Sequence, residues 1–212
     1  MSQFIALVAG ASGMIGKLVV EQLLQDPEYT EVKIIVRSLQ AISNPKLKQL
    51  VIDYNQIAEV DLKADHVYCC LGTTIAKAGS KPAFELVDKT YPLIVAKEAL
   101  QQGATVFSIV TAGGANASSS IFYNKVKGDV ENELMALGYK HLGIFRPSML
   151  LGNRKEKRPI ERAGQIVMQA LDFLIPKRYK AIQASKVALA MWTYAKNPSL
   201  GTTIVESDVM NK

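Results

Sequence analysis

Gln3-Phe4-Ile5-Ala6-Leu7-Val8-Ala9 runs directly into Gly10-Ala11-Ser12-Gly13-Met14-Ile15-Gly16, and the reading of these fourteen residues decides the fold. An apolar run of strand length stops at a glycine, and Ile15, Leu18, Val19 and Leu23 then recur at helical spacing. The stretch reads as strand, tight turn, helix. Its glycines stand where a side chain would keep a pyrophosphate away from the backbone and from the helix N-terminus. Gly10, Ser12, Gly13, Met14, Ile15 and Gly16 are therefore the first candidate cofactor contacts. An ordinary strand-to-helix turn in an unrelated α/β protein is the competing reading.

Working outward, Val32-Lys33-Ile34-Ile35-Val36 is a β-branched second strand. An NAD-binding turn expects an acid about twenty residues past its glycines, to hold the ribose hydroxyls. Counting from Gly16 reaches Val36, followed by Arg37 and Ser38, and no acid is there. A guanidinium at that point matches a 2′-phosphate, which favours NADP over NAD; a solvent-facing Arg37 is the alternative. Leu50-Val51-Ile52 is a short third strand ending at Asp53, which either accepts from an adenine amino group or caps the next turn.

His66 to Leu71 is a nearly continuous apolar fourth strand, as expected where both faces are covered. It breaks at Gly72-Thr73-Thr74, and Leu71, Gly72 and Thr73 join the cofactor candidates. A helix from about Asp88 to Gln102, a fifth strand over Val106 to Val110 and a polar loop from Ala115 to Ser120 follow. A helix then starts at Tyr123, with Val126, Val130, Leu134 and Leu137 on one face and Glu131 and Glu133 off it. His141 to Phe145 is the sixth strand, closed by Arg146-Pro147-Ser148, of which Pro147 and Ser148 complete the cofactor candidates. The alternation predicts an α/β protein with a doubly wound parallel sheet, a Rossmann fold, with ligands beyond the carboxyl ends of the strands. Past Gly152 an amphipathic stretch over Ile160 to Ile175, a helix over Ser185 to Lys196 and a strand over Gly201 to Val205 read as a small substrate-covering region. That region, about 152–212, belongs to the same single domain, 1–212.

The chain has 212 residues, 49% hydrophobic and 21% charged, an ordinary globular balance. The N-terminal apolar run has no basic residues before it and passes straight into the glycine turn. The expectation is a soluble, cytoplasmic protein with neither signal peptide nor membrane span. Cys69 and Cys70 are adjacent on one strand and point to opposite faces, so no bridge joins them. No metal-ligand spacing exists, and His66 and His141 each begin a strand. Of the net charge of +6, a surplus of five lies between Arg154 and Lys180, where eight basic residues face three acids. A solvated basic face, a mouth for an anionic small-molecule substrate and a protein-partner surface are three readings of it; nucleic acid ranks last, since no binding motif accompanies the charge.

Tyr123 and Lys127 lie one helical turn apart, so both side chains project from one face. A phenol ordinarily titrates near pH 10, and a neighbouring ammonium favours its ionised form. A phenol so placed can give a proton to a carbonyl oxygen, or take one from an alcohol. Thr111, at the end of the fifth strand, adds a hydroxyl to hold that oxygen. Tyr123, Lys127 and Thr111 are the catalytic candidates.

The glycine turn together with Tyr123-Asn124-Lys125-Val126-Lys127 resembles the short-chain dehydrogenase/reductase superfamily in its atypical branch. More closely, Cys69-Cys70-Leu71-Gly72-Thr73-Thr74, Lys77-Ala78-Gly79, Phe122-Tyr123, Val126-Lys127-Gly128 and Phe145-Arg146-Pro147 are similar to the Tat-interacting oxidoreductase-like proteins. The resemblance implies an NADP-binding Rossmann domain with Tyr123 as general acid and Lys127 holding the nicotinamide ribose. Thr111 would stand where a serine or threonine holds the carbonyl. The family often carries two successive hydroxyls there, whereas this chain has Thr111 then Ala112, with Ser118 to Ser120 as further hydroxyls. Two functions follow: an NADPH-dependent carbonyl reductase, or an NADPH-sensing regulator that presents a surface to a partner.

Overall fold

A computed structural model describes residues 3–151 and 180–212. Six strands lie in the expected order: β1 (Phe4–Ala9), β2 (Tyr29–Val36), β3 (Leu47–Val51), β4 (His66–Cys69), β5 (Val106–Val110) and β6 (His141–Arg146). The expected alternation with helices fails at β2–β3, which has no helix between, and β3 is followed only by a 3-10 segment over Tyr54–Glu59. The six strands form one parallel sheet with a further strand, β9 (Gly201–Glu206), in the order β3-β2-β1-β4-β5-β6-β9. This is a Rossmann fold. The chain leaves β1 for β2 on one side and returns to β4 on the other, so the switch point falls between the ends of β1 and β4. Ala9 is paired with both Ile35 and Cys69, which brings Gly10 and Cys70 side by side beyond the sheet.

The strands are buried because helices cover both faces. On one side α1 (Met14–Gln25) and α6 (Ala184–Lys196) pack Val19, Leu23 and Met191 against Val8, Val106 and Phe145. On the other, α4 (Tyr91–Gln101) and α5 (Phe122–Ala136) pack Ala96, Val130 and Leu134 against Leu7, Val67 and Phe107. Every residue of β4 and β5 is buried, which accounts for their nearly unbroken apolar sequence.

Other boundaries shift too, the second strand starting at Tyr29. The third strand starts at Leu47, not Leu50, because an edge strand needs only alternate burial and Leu47-Lys48-Gln49-Leu50-Val51 has no apolar run to mark it. The helix expected from Asp88 begins earlier. Thr74 caps α2 (Ile75–Ala78) by accepting from the Lys77 N–H, and Ser80 caps α3 (Lys81–Glu85) by accepting from the Ala83 N–H. A π-helical turn over Leu86–Thr90 then leads into α4.

In the described part of the tail, β9 pairs with β6 from His141↔Gly201 to Arg146↔Glu206 and α6 lies against α1, so residues 182–206 extend the sheet and its cover. The short strands β7 (Leu150–Leu151) and β8 (Ile182–Gln183) pair with each other in parallel, and α7 (Ser207–Met210) follows β9. The amphipathic stretch Ile160 to Ile175, and the basic stretch apart from Lys180, lie outside the described residues. No helix among the described residues is long and apolar enough to cross a membrane.

Candidate functional site

Bare backbone builds the centre of the site. Gly10 has φ +83°, and a Cβ there would fall 2.6 Å from the carbonyl oxygen of Cys70. A Cβ on Gly16 would fall 2.2 Å from the carbonyl oxygen of Gly10, so these two positions admit only glycine without backbone movement. Gly13 is the N-cap of α1 and has no side chain to cap it, leaving the helix's first N–H groups without a side-chain partner. They face a cavity of about 540 Å³, within the range of small-ligand sites.

Ser12, Gly13, Met14 and Ile15 line one wall, and Leu71, Gly72 and Thr73 line the next. Thr111, Tyr123 and Lys127 line the same cavity, so the sequence-predicted glycine turn and catalytic candidates meet in one place. Gly10 and Gly16 shape it from beneath. The exposed, uncapped helix end and the side-chain-free approach at Gly10, Gly13 and Gly72 fit a dinucleotide's pyrophosphate.

Besides Gly10 and Gly16, four candidates fall outside the lining. Arg37 and Asp53 are exposed beyond the ends of β2 and β3. Pro147 is buried, its carbonyl accepting the Gly113 N–H at 2.9 Å. Ser148 turns toward the tail: its hydroxyl donates to the Lys180 carbonyl and lies 2.9 Å from the Ser207 hydroxyl. Its hydroxyl is thus engaged away from the cavity.

Tyr123 is half-buried at the start of α5, its ring 5.5 Å from that of fully buried Phe84. Its hydroxyl bonds to no described residue. Gly128, five residues on, lets the 115–120 loop lie against α5; a Cβ there would stand 2.1 Å from the Ala117 nitrogen.

The structure corrects the reading of Thr111. Its hydroxyl donates at 2.6 Å to Oε1 of Glu131, a carboxylate only 1% exposed. Glu131 is also gripped by Arg146, through Nε at 3.1 Å and a terminal nitrogen at 2.5 Å, and Arg146 reaches Glu206 of β9 at 3.1 Å. A hydroxyl has one proton, and this one is taken, so Thr111 offers the cavity a lone pair rather than a donor. Glu131, read as lying off the apolar face, is buried because Arg146 and Thr111 satisfy it.

Lining residues that were not among the site candidates are Lys17, Cys70, Thr74, Lys77, Asp88, Val110 and Leu150. The spacing Gly13 to Lys17 was a helical-turn signal; nothing local marked Asp88. Cys70, at the cavity wall, has its thiol pushed up by burial and by Cys69, and burial pushes Cys69 up to about 12, so neither is a thiolate at neutral pH. No metal-ligating cluster occurs among the described residues.

A family model described as NAD(P)H-binding matches residues 10–169. The chain belongs to the NAD(P)H-binding family. Within this family's reach, the rat protein HTATIP2 is 35% identical over 160 residues, covering 73% of this chain and 66% of that protein, just under two thirds of its length. FMP52 of Candida albicans, named as mitochondrial, is 34% identical over 163 residues, covering 74% of this chain and 70% of that one. Among solved structures, MoeE5 in complex with UDP-glucose and NAD superposes with a TM-score of 0.70 at 15% identity, over 97% of this chain and 79% of that one. The Bordetella bronchiseptica enzyme WbmH in complex with NAD+ superposes with a TM-score of 0.71 at 16% identity, over 98% and 76%. At such identities these neighbours share the fold.

Proposed function

We propose that this NAD(P)H-binding protein is an NADPH-dependent oxidoreductase with short-chain dehydrogenase chemistry, reducing a carbonyl on a small molecule. The observation that carries the reading is the opening of Tyr123 and Lys127 onto the cavity floored by the glycine turn. Bound NADPH supplies a hydride to the carbonyl carbon. The Tyr123 phenol, free of other hydrogen bonds among the described residues, gives its proton to the carbonyl oxygen. Replacing Tyr123 with Phe abolishes NADPH oxidation over a panel of carbonyl compounds and leaves NADPH affinity within about twofold; persistent turnover in that variant overturns the assignment.

NADP in place of NAD rests on Arg37, exposed at the end of β2 where no acid competes for the ribose. On this reading Arg37→Ala weakens NADPH binding about tenfold or more and leaves NADH binding unchanged, the scale of a lost charge-assisted contact. The cytoplasm is the compartment proposed.

One observation favours a second reading, a regulator whose NADPH occupancy alters a partner surface. The Thr111 proton belongs to Glu131 and the next residue is Ala112, so the strand end gives no donor to hold a carbonyl. A pull-down in which the set of bound proteins changes with NADPH, together with no turnover on any carbonyl, replaces the reductase reading with this one.

A further inference from the structure

Beneath Gly72 lies a charged pair held by two distant helical segments. Asp88 sits in the π-helical turn and Lys127 on α5, the carboxylate 1% and the lysine 4% exposed. Lys127 Nζ stands 2.7 Å from Asp88 Oδ1, which accepts no well-aligned hydrogen bond, so the contact is charge to charge. The other carboxylate oxygen accepts the Thr73 N–H at 2.9 Å. A Cβ on Gly72 would meet Oδ1 at 3.5 Å and Nζ at 3.9 Å; with none there, both groups line the cavity. π-helical turns inside α-helices concentrate at functional sites, and this one places a carboxylate in the floor of the cavity.

An unpaired ammonium buried at that depth would be strongly disfavoured, and Asp88 cancels its charge. The remaining cations on the lining, Lys17 and Lys77, are exposed and screened by water. The Tyr123 end of the cavity is thereby close to neutral. Oxidised and reduced dinucleotides differ by one positive charge, carried on the nicotinamide ring, so the charge balance of this pair bears on which form the site prefers.

On the reading that this cavity holds NADPH, we infer that Asp88 is a positioning residue which neutralises Lys127 and so sets the preference of the site between the oxidised and reduced cofactor. Without its charge an uncompensated cation faces the cavity and disfavours NADP+; without the lysine an uncompensated anion favours it. Simple loss of structure would weaken both forms alike.

The test is calorimetric titration at pH 8 of NADP+ and of NADPH into the wild-type chain, Asp88→Asn, Lys127→Gln and the double variant. The expected result is a ratio Kd(NADP+)/Kd(NADPH) about tenfold higher than wild type in Asp88→Asn, on the scale of one unscreened charge nearby. It falls by a similar factor in Lys127→Gln and returns to within about twofold of wild type in the double variant. A ratio unchanged in both single variants, or moving in the same direction in both, overturns the role of Asp88 while leaving dinucleotide binding intact. A wild-type chain that binds neither form overturns the dinucleotide reading and this inference with it. Should Asp88→Asn not fold, the double variant decides: a ratio equal to that of Lys127→Gln overturns the role of Asp88, and a return toward wild type is the expected result.

Discussion

The strands β1 and β4 carry a buried polar cluster at each end, and the two are built to opposite effect. At their N-terminal ends the Tyr29 hydroxyl lies 2.7 Å from Nδ1 of His66 and 2.8 Å from the Tyr68 hydroxyl. The Phe4 ring covers His66 at 4.4 Å, and Lys196 sits over Tyr29 while bonding to Asp26. All three members are buried and satisfied by one another. At the C-terminal ends Lys127 and Asp88 are as deeply buried, yet both line the cavity, with no side chain on Gly72 to cover them. Burial of polar groups does not separate a structural cluster from a functional one. What covers the cluster does: aromatic rings seal the lower end, and missing side chains open the upper.

The sharpest way to break this comparison is to displace the glycine turn that shapes the upper end. Gly16→Val drives a side chain into the Gly10 carbonyl, 2.2 Å from where its Cβ would stand. NADPH binding, followed by cofactor fluorescence, falls more than about a hundredfold, and the displaced turn costs about 3 kcal/mol of stability in urea unfolding.

The lower end responds to acid instead. Burial depresses His66 to about 4 from an ordinary 6.5. The unfolded chain therefore binds a proton that the folded chain refuses between these values. Stability from this residue is fully present above pH 6.5 and is lost as pH falls toward 4, by about 3 kcal/mol in all. Urea unfolding of the wild type and of His66→Phe across that range should differ by this slope, with NADPH affinity at pH 7.5 the same in both. A smaller effect follows from Tyr29→Phe, which leaves the His66 ring nitrogen and the Tyr68 hydroxyl each a partner short. It lowers stability by about 2 kcal/mol and leaves cofactor affinity untouched. Smallest is Lys125→Ala, which removes an exposed pair with Asp129 one turn along α5 and shifts stability by less than about 0.5 kcal/mol.

What the sequence made legible was local. The parallel strands announce themselves because burial on both faces demands apolar runs, as in Ala6-Leu7-Val8-Ala9 and Val67-Tyr68-Cys69. Edge strand β3 lacks that demand, and its start was displaced accordingly. The glycine turn and the Tyr123/Lys127 spacing are patterns within a few residues, so both were readable. Asp88 and Glu131 were not. Their meaning depends on a lysine 39 positions away and on a threonine 20 positions away, contacts that only the closed sheet creates. Arg37 and Asp53 were read by counting to strand ends; both stand at those ends, exposed and outside the cavity lining.

The most direct test of the upper cluster as a dinucleotide site is calorimetric titration of NADPH into the wild-type chain and into Gly13→Val. The account predicts one NADPH per chain with a micromolar Kd in the wild type and no measurable heat in the variant, whose side chain blocks the α1 N-terminus. Equal binding by both chains, or none by the wild type, would contradict it.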